Sequence, residues 1–87
     1  MYTVYVLYSK SHNKIYIGYT SDVNQRVIAH NHIANKGWTR KYKPWILICF
    51  EDFDLKSDAM NREKQLKSFQ GRKFVWEKVI SFLEKVN

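Results

Sequence analysis

The 87-residue sequence predicts one layered α/β (α+β) domain, in which helices pack on a small sheet. The length supports a single domain, residues 1–87. The first part of the chain contains short β-branched and aromatic runs separated by turn formers, which is typical of strands. The last part places apolar residues at helical spacing. Aromatic residues make up 16% of the chain, and such bulky side chains help so small a domain to form a core.

The first two strands are predicted to form a hairpin. Residues 2–9 are apolar on both alternating faces, so we expect this strand in the centre of the sheet. Residues 10–13 are turn formers, and residues 14–19 form the second strand. Because the connection is short, the two strands are expected to be antiparallel.

The remaining elements complete the order β-β-α-β-α-α. Thr20, Ser21 and Asp22 provide the N-cap chemistry that starts the first helix. Gly71 stands where the residue that follows a helix belongs. The predicted elements are a helix over residues 23–32, a loop over 34–44, a strand over 45–53, a helix from Ser57 or Asp58 to about Gln70, and a helix over 72–86.

Charge and cysteine content narrow the functional classes. Fifteen Lys and Arg against eight Asp and Glu give a net charge of +7, which points to a polyanion such as nucleic acid or an acidic membrane surface. The single cysteine, Cys49, excludes an internal disulfide and a multi-cysteine zinc site, so we expect a cytoplasmic protein. No apolar run approaches the roughly 20 residues of a membrane span, and the mixed charges of the helices disfavour a membrane-surface role.

The positive charge is concentrated where no acidic residue occurs, between Asp22 and Glu51. Basic residues interleaved with aromatic ones suit phosphates and unstacked bases. A solvated loop that merely carries charge is the alternative. The residues of this loop that we predict to bind nucleic acid are Lys36, Trp38, Arg40, Lys41 and Lys43. The acidic cluster Glu51, Asp52, Asp54 and Asp58 is interpreted as structural or solubilising.

One carboxylate is predicted on an apolar helix face. Glu63 projects between Ala59 and Met60 at 100° per residue. Burial of a carboxylate is costly unless something pairs with it. Glu63 is therefore either at the edge of the apolar stripe or paired with an arginine, or it is a metal ligand or acid/base group in a cleft. The pattern leaves both interpretations open.

Other polar groups gather on two further faces. Arg26 and His30 are four residues apart and share a helical face. They are either a surface cation and a boundary histidine, or a phosphate clamp and a proton carrier. Strand alternation places Tyr5 on the same face as Tyr16 and Gly18. Gly18 leaves a hollow beside two phenols, which indicates either a small polar pocket or ordinary aromatic packing.

Taken together, these residues resemble the GIY-YIG nucleases. The signature appears as Thr3-Val4-Tyr5, ten intervening residues, and Tyr16-Ile17-Gly18, with Thr3 in place of the family's first glycine. The resemblance continues through Arg26, through His30-Asn31 and through the run from Arg62 to Lys67. The sequence resembles small stand-alone bacterial members of the family, and it is similar to the N-terminal nuclease domain of the excision-repair protein UvrC.

The resemblance implies a three-stranded antiparallel sheet and hydrolysis of DNA phosphodiester bonds with one divalent metal, Mg²⁺ or Mn²⁺. Glu63 would bind the metal and Arg26 would hold the scissile phosphate. Tyr5 and Tyr16 would orient or activate the attacking water, and His30 would share the proton transfer.

We expect recognition of DNA structure rather than base sequence, in a repair or nucleic-acid-processing role, because the family usually takes sequence specificity from an attached domain. RNA is an alternative substrate, and a protein partner is an alternative source of specificity. The third helix offers no obvious counterpart of the asparagine that family nucleases often carry after the metal-binding glutamate. The alternative function is a non-catalytic or partner-dependent nucleic-acid-binding module on the same fold.

Overall fold

The computed structural model describes residues 1–32 and 35–86. Its elements confirm the predicted order β-β-α-β-α-α. They are β1 (Tyr2–Ser9), β2 (Lys14–Thr20), α1 (Val23–Asn31), a 3-10 helix η1 (Trp38–Tyr42), β3 (Ile46–Phe53), α2 (Lys56–Lys67) and α3 (Phe69–Val86). Ala34, the first residue of the predicted loop, and Asn87, the last residue of the predicted domain, lie outside the described residues.

The three strands form one antiparallel sheet in the order β2-β1-β3. The predicted central position of β1 is therefore confirmed. In the hairpin, Tyr5 pairs with Gly18 and Leu7 pairs with Tyr16, so Tyr5, Tyr16 and Gly18 share a face as predicted. Since β2 is an edge strand, the side chains beside it can reach the molecular surface. Within the described residues, none of the helices combines the length and hydropathy that crossing a membrane requires.

Both faces of β1 are buried, which explains its continuous apolar sequence. The even-numbered residues Val4, Val6 and Tyr8 join the larger core beneath α2 and α3. The odd-numbered Tyr5 and Leu7 form a second, smaller cluster with Trp45. Helix α1 covers this second cluster with its own apolar side chains, Val23 and Val27. The sheet thus separates two unlike interiors.

The first helix starts as its sequence predicts. The Asp22 side chain caps α1 by accepting a hydrogen bond from the Gln25 amide at 3.1 Å. The start predicted for the second helix is wrong, because α2 begins at Lys56 and its N-cap residue, Leu55, makes no side-chain hydrogen bond there. Asp58 lies in the first turn instead, where its charge favours the helix dipole.

The predicted role of Gly71 is also wrong. Helix α2 ends at Lys67, and Gly71 is the third residue of α3. A Cβ atom at position 71 would collide with the carbonyl oxygen of Gln65 and would lie 2.6 Å from the Cα atom of Leu66. Glycine is required here because the start of α3 closely approaches the end of α2, and not because a left-handed residue ends a helix.

Candidate active site

The ring of Tyr5 lies directly over the bare backbone of Gly18. A Cβ atom at position 18 would be 2.8 Å from the Tyr5 hydroxyl oxygen and 3.1 Å from a ring carbon of Tyr16. The residues predicted to share a face do meet there. The hollow predicted beside Gly18 is not open, however, because the Tyr5 ring occupies it. Tyr5 itself is only 1% exposed.

His30, the buried residue of α1, is hydrogen-bonded to the Tyr5 hydroxyl group. Its Nε2 atom is 2.9 Å from the Tyr5 oxygen, and its Nδ1 atom is 3.0 Å from Oγ1 of Thr39 in η1. The Asn35 side-chain amide donates to the same Thr39 oxygen at 2.7 Å and to the His30 carbonyl oxygen at 2.8 Å. Both ring nitrogens of a histidine that is 8% exposed are therefore engaged.

Sequence reasoning missed Thr39 and Asn35. Both lie in an irregular connection where neither a strand nor a helix period applies, and both are common surface residue types. They meet His30 because η1 folds back under the end of α1. No sequence signal identified this contact, since it depends on the path of the loop.

The donors and acceptors around Tyr5 favour one arrangement of protons. The Arg26 guanidinium interacts with the Tyr5 hydroxyl and can only donate. When the Tyr5 oxygen accepts from Arg26, its own proton can point at Nε2 of His30, which is 2.9 Å away. In that tautomer Nδ1 of His30 carries a hydrogen, which it donates to Thr39.

The electrostatics of the cluster agree with this arrangement. Burial lowers the pKa of His30 below its ordinary value, and the nearby positive charge of Arg26 lowers it further. Burial also raises the pKa of Tyr5 to about 12, against the opposing effect of Arg26. At neutral pH the pair is therefore an uncharged imidazole that accepts a hydrogen bond from an uncharged phenol.

Three of the predicted catalytic residues line one surface cleft. Tyr16, Arg26 and His30 border a depression of about 290 Å³ together with Trp38 of η1. We call it the arginine cleft. The Tyr16 ring packs against that of His30, with centroids 4.6 Å apart. Tyr16 thus borders the cleft, whereas the buried Tyr5 contacts it through His30 and Arg26.

Glu63 lies apart from these residues. Its side chain is 19% exposed and its Oε1 atom is 3.5 Å from the Nζ atom of Lys67, one helical turn further along α2. The carboxylate is therefore half-buried and paired with a lysine, and not with an arginine. Glu63 is not among the described residues that line the arginine cleft, but Lys67 lines a second cleft that also contains Tyr16.

Two acidic residues near the end of β3 have structural partners. Arg62 donates to both carboxylate oxygens of Glu51, at 2.9 and 3.0 Å. Thr3 donates to Asp52 at 2.6 Å, so the residue that replaces the signature glycine fastens β1 to β3. In the part of the chain that the structure describes, no three His, Cys, Asp or Glu residues are grouped closely enough to form a metal site by themselves.

The predicted basic loop lines the arginine cleft with Asn35, Gly37, Trp38 and Thr39, and the second cleft with Trp38. Lys36, Arg40 and Lys41 are exposed. The half-buried Lys43 donates to the carbonyl oxygen of His32 at 3.4 Å. Of these five predicted nucleic-acid-binding residues, only the tryptophan is among the described lining residues of the two clefts.

Comparison with known proteins identifies the family. The model of the GIY-YIG catalytic domain matches residues 1–74. The chain belongs to the GIY-YIG family. The matched region contains the five predicted catalytic residues, Tyr5, Tyr16, Arg26, His30 and Glu63.

Relatives of this GIY-YIG domain occur in bacteria and archaea. The UPF0213 protein SH2523 of Staphylococcus haemolyticus is 38% identical over 66 residues, which cover 76% of this chain and 79% of the relative. The UPF0213 protein HQ_3675A of Haloquadratum walsbyi is 41% identical over 63 residues, or 72% and 71% of the two chains.

A solved structure has the same fold. The solution NMR structure of the UPF0213 protein BH0048 from Bacillus halodurans is 30% identical and superimposes with a TM-score of 0.52. The superposition covers 88% of this chain and 84% of that one. The GIY-YIG fold therefore extends over most of the 87 residues.

Proposed function

We propose that this GIY-YIG domain is a divalent-metal-dependent endonuclease that hydrolyses phosphodiester bonds in DNA. One observation carries the proposal: Tyr16, Arg26 and His30 line a single cleft, and the buried Tyr5 hydroxyl is 2.9 Å from Nε2 of His30. A cation, a phenol and a neutral imidazole at one depression match the requirements of phosphate hydrolysis, which are charge neutralisation and proton transfer.

Arg26 would hold the scissile phosphate. Its side chain is exposed on α1, and its guanidinium interacts with the hydroxyl groups of Tyr5 and Tyr16. The planar guanidinium can bind two phosphate oxygens at once, and its charge opposes the negative charge that grows in the transition state. Positioning by two phenols leaves donors of Arg26 available to the substrate, because a guanidinium has five N–H groups.

His30 would take up the proton that the reaction releases. Attack of water on phosphorus forms a P–O bond, breaks the bond to the leaving oxygen and frees a proton. Tyr5 is a poor base because its pKa is about 12. It can instead pass its own proton to Nε2 of His30 while its oxygen accepts another, so the proton moves without a stable phenolate. Tyr16, which borders the cleft, would orient the water.

Glu63 would hold the metal. Mg²⁺ is commonly bound by one or two carboxylates together with water and substrate phosphate oxygens, so a single half-buried carboxylate fits that pattern. The ion pair of Glu63 with Lys67 is partly exposed and therefore weak, so that the carboxylate is available for exchange. A bound Mg²⁺ or Mn²⁺ would supply further positive charge to the phosphate, in addition to that of Arg26.

The substrate would be recognised by its shape. We expect branched, flapped or single-stranded DNA in preference to a base sequence, and a cytoplasmic role in repair or nucleic-acid processing. RNA and a partner protein that supplies specificity remain alternatives. A module that binds nucleic acid without cleaving it is the second candidate, which is favoured by the pairing of Glu63 with Lys67 in place of further carboxylates.

A cleavage panel tests the proposal. Duplex, single-stranded, flapped and branched DNA, and RNA, are incubated with Mg²⁺ or Mn²⁺ and with wild type, Glu63→Gln and Tyr16→Phe. We expect metal-dependent cleavage of at least one DNA that Glu63→Gln abolishes and Tyr16→Phe slows. Glu84→Gln, an exposed carboxylate near the end of α3, is the control and should cleave normally.

Cleavage that persists in rigorously purified Glu63→Gln would contradict the endonuclease proposal. So would salt-sensitive binding of DNA without turnover of any substrate, which is the outcome that the binding-module alternative predicts.

A further inference from the structure

A second cleft follows the edge strand β2 and shares Tyr16 and Trp38 with the arginine cleft. Its volume is about 460 Å³, within the range of ligand-binding clefts. We call it the basic cleft. The lining residues used below are Lys14, Tyr16, Trp38, Lys67, Arg72 and Trp76.

The cations of the basic cleft come from three separate elements. Lys14 starts β2, Lys67 ends α2 and Arg72 is in the first turn of α3. All three are exposed, and Nε of Arg72 donates to the Lys67 carbonyl oxygen at 3.3 Å, which holds its guanidinium beside the end of α2. Among the described residues that line this cleft, none is acidic. Lys67 is also 3.5 Å from the Glu63 carboxylate, but together with Lys14 and Arg72 it leaves an excess of positive charge around the depression, which favours a polyanion.

The aromatic side of the basic cleft offers a flat, supported surface. The Trp38 ring is 49% exposed. It is nearly parallel to Tyr16, at 28° and 6.4 Å between centroids, and it packs on Tyr42 at 4.7 Å. A tryptophan held from behind in this way is a stacking platform for a nucleic-acid base. Only an unpaired base presents its face to such a platform.

We propose that the basic cleft binds an unpaired stretch of DNA that continues from the scissile phosphate. This inference rests on the proposed endonuclease function and specifies the substrate as one with a single-stranded branch or flap. Tyr16 and Trp38 border both clefts, so a strand that stacks on Trp38 has one phosphate group near Arg26 and the following ones near Lys67, Arg72 and Lys14.

The basic residues that bind the DNA strand in this proposal are not those that the sequence predicted. The sequence pointed to Lys36, Arg40, Lys41 and Lys43, which form a run along the chain. The structure points to cations that are far apart in sequence and close in space. Trp38 is common to both interpretations.

Binding is measured by fluorescence anisotropy in EDTA, with a labelled oligo-dT and a labelled blunt duplex, over a series of salt concentrations. The cleft variant is Lys14→Gln/Lys67→Gln/Arg72→Gln. The matched control is Lys56→Gln/Lys64→Gln/Lys85→Gln, which removes the same charge from exposed lysines that are not among the lining residues of either cleft.

We expect the cleft variant to bind oligo-dT at least tenfold more weakly than the control does. The slope of log affinity against log salt should fall by about 2, since each lost phosphate contact to a single strand contributes about 0.7. Trp38→Ala should weaken oligo-dT binding by roughly tenfold, whereas Trp38→Phe retains a ring and should lose less. Affinity for the blunt duplex should change no more in the cleft variant than in the control.

Equal losses in the two triple variants would overturn the proposal, as would a loss on the blunt duplex equal to that on oligo-dT. Circular dichroism and a thermal melt check folding. If the triple variant fails to fold, the single exposed variant Arg72→Gln decides instead, with an expected fall in slope of about 0.7.

The two proposals fail separately. Absence of cleavage in the metal panel overturns the endonuclease function and leaves the oligo-dT measurement valid. Normal cleavage together with unchanged oligo-dT binding by the cleft variant overturns only the role of the basic cleft.

Discussion

The two faces of strand β1 are both buried, but they have different chemistry. The even face, Val4, Val6 and Tyr8, packs into an apolar core under α2 and α3. The odd face includes Tyr5, whose hydroxyl leads through a hydrogen bond to His30 and from there to Thr39. One strand thus contributes packing to one side of the sheet and a polar network to the other.

The difference between the two faces allows a small domain to have both an apolar core and a polar candidate active site. The larger apolar cluster lies on the even face, whereas the odd face has a smaller apolar cluster and also buries polar groups. Every buried side-chain nitrogen or oxygen in the described residues has a hydrogen-bond partner. The polar network therefore incurs no cost from unsatisfied groups, and it holds His30 in one orientation.

The largest expected effect is a loss of cleavage activity, caused by a substitution beside the odd face of β1. Arg26→Gln should slow DNA cleavage by about 10²–10³-fold, because it removes a charge aimed at the transition state. Stability should change by less than about 0.5 kcal/mol, since the side chain is exposed. Cleavage kinetics and urea unfolding measure the two quantities.

Lys85→Gln is the matched control for Arg26→Gln, because Lys85 is exposed and is not among the described residues that line either cleft. Equal rates for the two variants would remove Arg26 from the site.

A substitution in the core under the even face of β1 should have the opposite effect, on stability and not on activity. Val79→Ala should lower the free energy of unfolding by about 2 kcal/mol, because it removes two buried methyl groups and leaves a cavity. At a temperature where both proteins are folded, its cleavage rate should equal that of wild type. A Val79→Ala protein that is as stable as wild type but cleaves slowly would contradict the assignment of stability to the even face and activity to the odd face.

A methyl group added at Gly18 of the hairpin should moderately reduce both the stability and the cleavage rate. In Gly18→Ala the new Cβ atom lies 2.8 Å from the Tyr5 hydroxyl oxygen, so the ring must move away. We expect a loss of about 1–3 kcal/mol in stability, together with slower cleavage. Gly37→Ala is the control for stability, because the nearest atom to its Cβ is Asn35 Oδ1 at 3.4 Å. If Gly18→Ala matches this control, the contact of Tyr5 with Gly18 does not constrain the site.

The smallest expected effect is a shift in a titration. NMR of the His30 imidazole should show a pKa below the ordinary value, because burial disfavours the cation. Arg26→Gln should raise that pKa part of the way, since it removes the nearby charge and leaves the burial. A wild-type pKa at or above that of a free histidine would contradict the proposed state of the cluster.

The same pKa fixes the sign of the pH dependence. Because the pKa of His30 is lower in the folded state than in the unfolded state, its contribution to stability is complete when the pH is above the unfolded-state pKa of about 6.5. This contribution is lost as the pH falls through the folded-state pKa. Cleavage that uses neutral His30 should therefore persist somewhat below pH 6.5.

The sequence by itself determined the order of the elements, the central position of β1 and the antiparallel pairing of the hairpin. These follow from periodicity and loop length, which are local properties of the chain. It also placed Tyr5, Tyr16 and Gly18 on one face, because alternation along paired strands leaves no other choice. The pairing of Arg26 with His30 on one helical face was equally local.

Only the tertiary structure decided how these parts meet. Thr39 and Asn35 reach His30 through the path of an irregular loop, and Gly71 is needed where two helices approach each other. The basic cleft depends on the ends of β2, α2 and α3, which are up to 58 residues apart between Lys14 and Arg72. Local patterns specify which face a side chain occupies, but contacts between distant elements depend on how the whole chain packs.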